Sequence, residues 1–188
     1  DPNDPSGPTK LDLAKKAAIE SLDEFNPTDE VGLRIFTTNL GPNGQDNYQD
    51  ILPIQPMSTN REALAAKIQD QYPLNATPLY DVTGSTYKDM VKGHDPAKIN
   101  AIVLLTDGQN DDGTPDDDST QMNQLTSMLR DGTQGESSKP IRIFPIAYGS
   151  EADLDALKSI AEATNAAAYD ASNPQTITQV FTAVVSNF

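Results

Sequence analysis

The chain has 188 residues, with 28 Asp and Glu against 13 Lys and Arg, and a net charge of −15. No basic surface can offset phosphate repulsion, which excludes nucleic acid as a partner. With no cysteine and a single histidine, disulfides, zinc–thiolate sites, thiol catalysis and a conventional nucleophile–base pair are excluded as well.

The length suits one domain with a core of its own. No run approaches the ~18 apolar residues that a membrane-spanning helix needs. The first residue is Asp1 rather than methionine and no signal peptide leads the sequence, so a processed or partial chain is expected.

Residues 1–9 form a proline-rich, polar lead-in, and the domain proper is expected over 10–188. Leu11, Ala14, Ala18, Leu22 and Phe25 recur at helical spacing, and Asn26-Pro27 ends that helix. VGLRIFT (31–37) reads as a strand, and QDILPI (49–54) as an edge strand because Pro53 cannot donate to a ladder. Thr59 to Glu62 matches a capping box that opens a helix through Asp70. Thr77-Pro78 opens the next, with Leu79, Val82 and Met90 along one face. NAIVLLT (100–106) is the most apolar strand. Ser119 is placed to cap a helix that carries Met122, Leu125 and Leu129 and closes at Gly132. IRIFPIAY (141–148) is a strand, Leu154, Leu157 and Ile160 mark a helix, and AAAYDA (166–171) is a short strand. Asn173-Pro174 starts a last helix that turns Ile177, Phe181 and Val184 inward.

Strand and helix thus alternate from residue 31 onward, and the 101–105 run lacks polar alternation. That pattern predicts an α/β fold, an open and mostly parallel sheet covered by helices on both faces. Ligands of such sheets bind at the carboxyl ends of the strands, where Asp107 sits. Asp107 reads either as a turn residue of an Asp-Gly pair or as a site carboxylate. Thr77 reads either as a helix cap or as a site hydroxyl. Both lie at strand-to-helix junctions, which a doubly wound sheet gathers on one edge.

VLLTDGQND (103–111), ATPLYD (76–81), the helix 10–25 and the strand DEVGLRIFTT (29–38) together resemble a von Willebrand factor type A domain over essentially the whole chain. The resemblance implies a Rossmann-like, doubly wound sheet with one antiparallel edge strand. It also implies a metal-ion-dependent adhesion site, where a D-x-S-x-S loop, a threonine and an aspartate hold Mg²⁺, or Mn²⁺ or Ca²⁺ in its place. Thr77 matches that threonine and Asp107 that aspartate. Hydroxyls and water-bridged carboxylates leave such a cation electrophilic, able to accept a partner protein's carboxylate as its last oxygen ligand. The implied role is a non-enzymatic protein-binding module, extracellular or on a cell surface, within a larger multidomain chain. The alternative is a structural domain in which Thr77 only caps and Asp107 only turns.

The family's first strand and its D-x-S-x-S loop are not found ahead of the 10–25 helix, where DPNDPSGPT stands. That strand is central, between 31–37 and 100–106, so the site is expected to be incomplete in these 188 residues and the missing segment to come from elsewhere. Asp81-Val82-Thr83-Gly84-Ser85 looks like a metal loop, but helical positions i, i+2 and i+4 do not converge. Residues 107–118 fail the EF-hand spacing. Asn110 occupies the nucleophile position of a phosphatase-like D-x-D-G-T pattern, where an aspartate is needed. The remaining acids of this stretch read as a solvated negative rim, and His94 as a surface turn residue.

Overall fold

A computed structural model describes residues 7–74, 76–133, 138–173 and 176–186. In chain order these form α1 (Lys10–Ser21), β1 (Glu30–Leu40), β2 (Asp46–Pro56), α2 (Met57–Gln69), α3 (Leu79–Lys92), β3 (Asn100–Thr106), α4 (Asp118–Thr133), β4 (Ile141–Tyr148), α5 (Leu154–Ala163), β5 (Tyr169–Ala171) and α6 (Ile177–Val185). α1 starts on a reciprocal capping box: the Thr9 hydroxyl accepts from the Asp12 N–H, and the Asp12 carboxylate accepts from the Thr9 N–H.

β3, β4 and β5 form a parallel sheet in that order, with Asn100 opposite Ile141 and Thr106 opposite Ala147. Successive side chains of a strand point to opposite faces, and here each face has its own core. Ile102, Leu104, Ile141 and Ile143 pack with Leu79, Leu129, Leu157 and Ile160 from α3, α4 and α5. Val103, Leu105, Phe144 and Ile146 pack with Ala14 and Ala17 of α1 and Ile177, Phe181 and Val184 of α6. Helices therefore cover both faces, and the expected doubly wound α/β architecture is present.

β1 and β2 form a separate antiparallel ribbon, with Phe36 opposite Tyr48 and Arg34 opposite Asp50. Pro53 sits in β2, which pairs only with β1 among the described residues. Leu22, Met57 and Leu64 close a third small core under this ribbon. Arg34 locks the ribbon to α3. Its guanidinium donates to both Asp50 oxygens at 2.7 and 3.1 Å, to Asp89 at 3.0 Å and to the Thr86 hydroxyl at 3.0 Å. It also lies 3.9 Å above the Tyr48 ring centre.

Several element starts differ from the sequence reading, each for a tertiary reason. α2 begins at Met57, two residues ahead of Thr59, so no capping box forms there. Asn60 is instead buried, and its amide donates to the Val31 and Pro53 carbonyls. Thr77 is not the cap of α3, because Pro78 holds that position without a side-chain bond. α4 begins at Asp118 after a short 3₁₀ turn over Pro115–Asp117, and Gly132 lies inside it. β5 is confined to three residues. Pro174 lies outside the described residues, and α6 starts at Ile177.

Candidate metal centre at the carboxyl edge

β3 delivers Thr106 buried and Asp107 exposed. The Thr106 hydroxyl exchanges hydrogen bonds with the Gly108 N–H and carbonyl, both at 3.3 Å. This tight turn directs the Asp107 carboxylate away from the core.

Thr77 arrives from the other side. Its N–H donates to the Asp111 carbonyl at 2.9 Å and its carbonyl accepts from the Asp111 N–H at 2.8 Å, a two-residue antiparallel ladder. The residue before it, Ala76, adopts φ +75°, a left-handed conformation that costs a non-glycine residue on the order of 1 kcal/mol. The Thr37 hydroxyl donates to the Ala76 carbonyl and holds the bend. A Cβ on Gly108 would stand 3.2 Å from the Thr77 hydroxyl oxygen. Thr77 therefore lies against the residue that follows Asp107, and the fold brings the two predicted site residues together. Among the described residues, neither the Thr77 hydroxyl nor the Asp107 carboxylate has a hydrogen-bond partner.

The loop after Asp107 is braced rather than loosely solvated. The Asn110 amide oxygen accepts from the Tyr80 N–H at 3.1 Å, and its nitrogen donates to Asp118 at 2.7 Å. One side chain so serves the amino ends of α3 and α4, and it does the capping expected of Thr77. Asp112 accepts from the Thr114 N–H and hydroxyl and from Gln121. The Thr114 hydroxyl bond, against the opposing effect of burial, leaves the Asp112 carboxyl below the usual range. Asp107, Asp111, Asp116 and Asp117 are exposed and keep the rim negative.

Tyr148 ends β4 on the same edge, 3% exposed, and its hydroxyl donates to the Lys10 carbonyl at the start of α1. Burial first, then the nearby Asp107 and Asp12 carboxylates, push its hydroxyl up to about 12. Tyr80 is raised by burial and then by Asp153 and Asp118. The amino ends of α1, α3, α4 and α5 thus share one negative edge with Asp107.

A polar cleft of about 430 Å³ opens beside Thr77, lined by Thr38, Asn39, Ala76, Asp111, Asp112 and Gly113 among others. A larger depression of about 640 Å³ is lined by α4 alone and takes no group from the sheet edge.

A hydroxyl and a carboxylate are hard oxygen donors, the chemistry that Mg²⁺ and Ca²⁺ take, but Mg²⁺ wants about six oxygens. Among the described residues no three His, Cys, Asp or Glu side chains converge as a metal site. The donors fit in kind and fall short in number. Asp81 to Ser85 lie within α3, where the Thr83 hydroxyl donates to the Leu79 carbonyl and Asp81 accepts from Asn47, so they form no loop. Gly108, Asn110 and Tyr148 were missed as site residues. Gly108 alone carried a local signal, as the glycine that directly follows the carboxylate.

The family model of the von Willebrand factor type A domain matches residues 4–183. No curated protein sequence is significantly similar to the chain. Among solved structures, a von Willebrand factor type A protein from Catenulispora acidiphila superposes with a TM-score of 0.68 at 16% identity, covering 94% of this chain and 37% of that one. Proximal thread matrix protein 1 from the mussel byssus, with a zinc-occupied adhesion-site motif, gives 0.61 at 16% identity over 94% of this chain and 42% of its own. An aerotolerance-related membrane protein from Bacteroides fragilis, in a form with multiple mutations to serines, gives 0.63 at 14% identity over 96% and 90%. The chain thus spans less than half the length of the first two. At these identities the likeness shows the fold. Domains of this kind are in general interaction modules rather than enzymes. The alternating elements, the two-faced sheet and the family match agree: the chain belongs to the von Willebrand factor type A domain family.

Proposed function

We propose that this domain is a non-enzymatic adhesion module that uses a divalent cation at the carboxyl edge of its sheet to bind a partner protein. The observation that carries the reading is that the Thr77 hydroxyl lies against Gly108, the residue directly after Asp107, while among the described residues neither that hydroxyl nor the Asp107 carboxylate has a hydrogen-bond partner. Thr77 and Asp107 would hold the ion, Mg²⁺ with Mn²⁺ or Ca²⁺ as substitutes. A bound ion supplies an electrophilic seat for an acidic side chain of the partner. The braced loop keeps the two groups in place without spending binding energy on ordering them. The exposed acids around them raise the local cation concentration. We place the module outside the cell or on its surface, as one part of a multidomain chain.

Isothermal titration with Mg²⁺ and Mn²⁺ tests this reading on the 188-residue chain and on a chain extended upstream. Binding is expected to strengthen in the extended chain and to disappear in Asp107→Ala and Thr77→Ala. Heat that is absent from both chains, or unchanged by Asp107→Ala, refutes it. The Thr77–Asp111 ladder and the Asn110 bonds hold this edge rigid without any ion, which favours a structural domain as the second reading and fits the outcome without heat.

A further inference from the structure

Three consecutive residues of the α2–α3 connection, Tyr72, Pro73 and Leu74, are apolar and exposed. Tyr72 is 70% exposed and Leu74 46%. The two other large hydrophobics that stand out from the described surface, Ile54 and Ile99, lie singly at the amino edge, near the end of β2 and just ahead of β3. Single exposed hydrophobics are ordinary, whereas a run of three is avoided in folded chains unless it binds something. Neither Tyr72 nor Leu74 joins any of the three cores. Among the described residues no hydrogen bond ties 72–74 to the fold. The anchors stand on either side: the Gln71 N–H donates to the Ile68 carbonyl, and Thr77 pairs with Asp111.

Position and charge single out the same segment. α2 runs from the amino edge to the carboxyl edge and α3 starts there, so the run lies on the edge that holds Thr77 and Asp107. Leu74 precedes Thr77 by three residues and Tyr72 by five, which keeps their Cα atoms within about 11 and 18 Å of it even at full extension. Residues 71–80 carry no charge, whereas 107–118 carry six carboxylates and 149–155 three. A partner that brings an acidic side chain is repelled by those two loops and meets no repulsion over 71–80. Pro73 fixes its own φ and holds Tyr72 extended, so little backbone freedom remains to be lost on binding. A tyrosine ring buries apolar area while its hydroxyl stays wet, the property that enriches tyrosine at binding surfaces.

We infer that Tyr72, Pro73 and Leu74 form the apolar half of the partner's docking surface, and that the partner carries a bulky aliphatic or aromatic side chain within a few residues of its acidic one. This rests on the adhesion reading of the edge and adds the second feature that the partner must have. A carboxylate on the ion is common to every acidic partner, so it discriminates little between them. The apolar contact supplies the discrimination, because a partner with a polar residue at that point leaves Tyr72 and Leu74 in water and gains nothing from them.

The test pans a phage-displayed library of nine-residue peptides, with aspartate fixed at the centre, in Mg²⁺ on the full chain and on its Tyr72→Ser/Leu74→Ser variant. Peptides recovered on the parent are expected to concentrate Leu, Ile, Phe or Trp at one or two fixed offsets from the aspartate, and to bind the variant about tenfold more weakly. The variant is expected to melt within about 2 °C of the parent, because both side chains are exposed. A much lower melting temperature would mean that the two side chains are packed into the fold and would overturn the inference. So would a selection that yields no binders, or binders without an apolar preference. Binders that the variant retains in full, but that EDTA or Asp107→Ala releases, would overturn the inference and leave the metal reading standing. Apolar-rich binders that need Tyr72 and Leu74, yet survive EDTA and Asp107→Ala, would refute the metal reading and leave the docking surface standing.

Discussion

Arg34→Ala measures how firmly the β1–β2 ribbon is held to the rest of the domain. The Arg34 side chain is 16% exposed, while its partners Asp50 and Asp89 are 61% and 38% exposed. The ion pairs are thus partly solvated and contribute about 0.5–1 kcal/mol each after screening. The bond to Thr86 adds about 1 kcal/mol, the stack on Tyr48 about 0.5–1 kcal/mol, and the buried methylene stem up to about 1 kcal/mol. The expected loss is about 3 kcal/mol, which for a domain of this length lowers the melting temperature by about 6–12 °C. Urea unfolding followed by circular dichroism gives the free energy, and hydrogen exchange gives its location, in β1, β2 and the facing turns of α3. Arg34→Lys keeps one point charge but loses the fork and the stack, so about half the loss is expected. A loss below about 1 kcal/mol, or equal effects of the two substitutions, would refute the account. So would a loss spread evenly into β4.

Four further outcomes follow from the geometry. Gly108→Ala sets a methyl 3.2 Å from the Thr77 hydroxyl oxygen, and the ladder with Asp111 prevents Thr77 from yielding; calorimetry is expected to show at least tenfold weaker Mg²⁺ binding in the upstream-extended chain, with a melting temperature within a few degrees of the parent. Tyr148 has its hydroxyl raised to about 12 by burial and by Asp107 and Asp12, so the native state holds a proton that the unfolded chain releases near pH 10. Stability is therefore full below pH 10 and falls as pH rises from 10 to about 12, by at most about 2–3 kcal/mol. Tyrosinate absorbance, free of tryptophan in this chain, is expected to show the slowest-titrating tyrosine moving to lower pH in Asp107→Asn. Gly132→Ala drives a methyl to within 2.2 Å of the Tyr87 hydroxyl, which is buried and has no partner among the described residues; overpacking of about 1–3 kcal/mol outweighs the helix-propensity gain of about 1 kcal/mol. Tyr87→Phe is expected to be neutral or stabilising and to soften the Gly132→Ala loss in thermal melts. Asn110→Ala removes the bonds to Tyr80 and Asp118 and is expected to cost about 1–2 kcal/mol in urea titrations.

Where side chains repeat along one element, local order was enough to read it. β4 occupies Ile141–Tyr148 as its aliphatic and aromatic run around Arg142 indicates, and α1 turns Ala14 and Ala18 toward the core as its spacing requires while also burying Ala17, which that spacing leaves out. That Thr77 comes to lie beside the Asp107–Gly108 turn was legible only because strand ends and helix starts of a doubly wound sheet share one edge. Caps were read poorly. Threonine before proline and Thr59 before Glu62 carry the local signature of a helix start, but the tertiary structure starts both helices at other residues. Asp111 pairs with Thr77, and the Val31 and Pro53 carbonyls pull Asn60 into the core. The acids after Asp107 look solvated in sequence because nothing local shows that Gln121 and Thr114 will engage Asp112.

By itself, the order of residues determined the element types, the two-faced sheet and the carboxylate at its exit, because hydrophobic periodicity acts between near neighbours. Only the tertiary structure decided how the edge is assembled. It placed Gly108 against Thr77, brought the Asn110 amide oxygen to the Tyr80 N–H at the start of α3, and set Tyr148 between Asp107 and α1. Those contacts join residues 30 to 140 positions apart, and which groups meet at such separations depends on how whole layers pack.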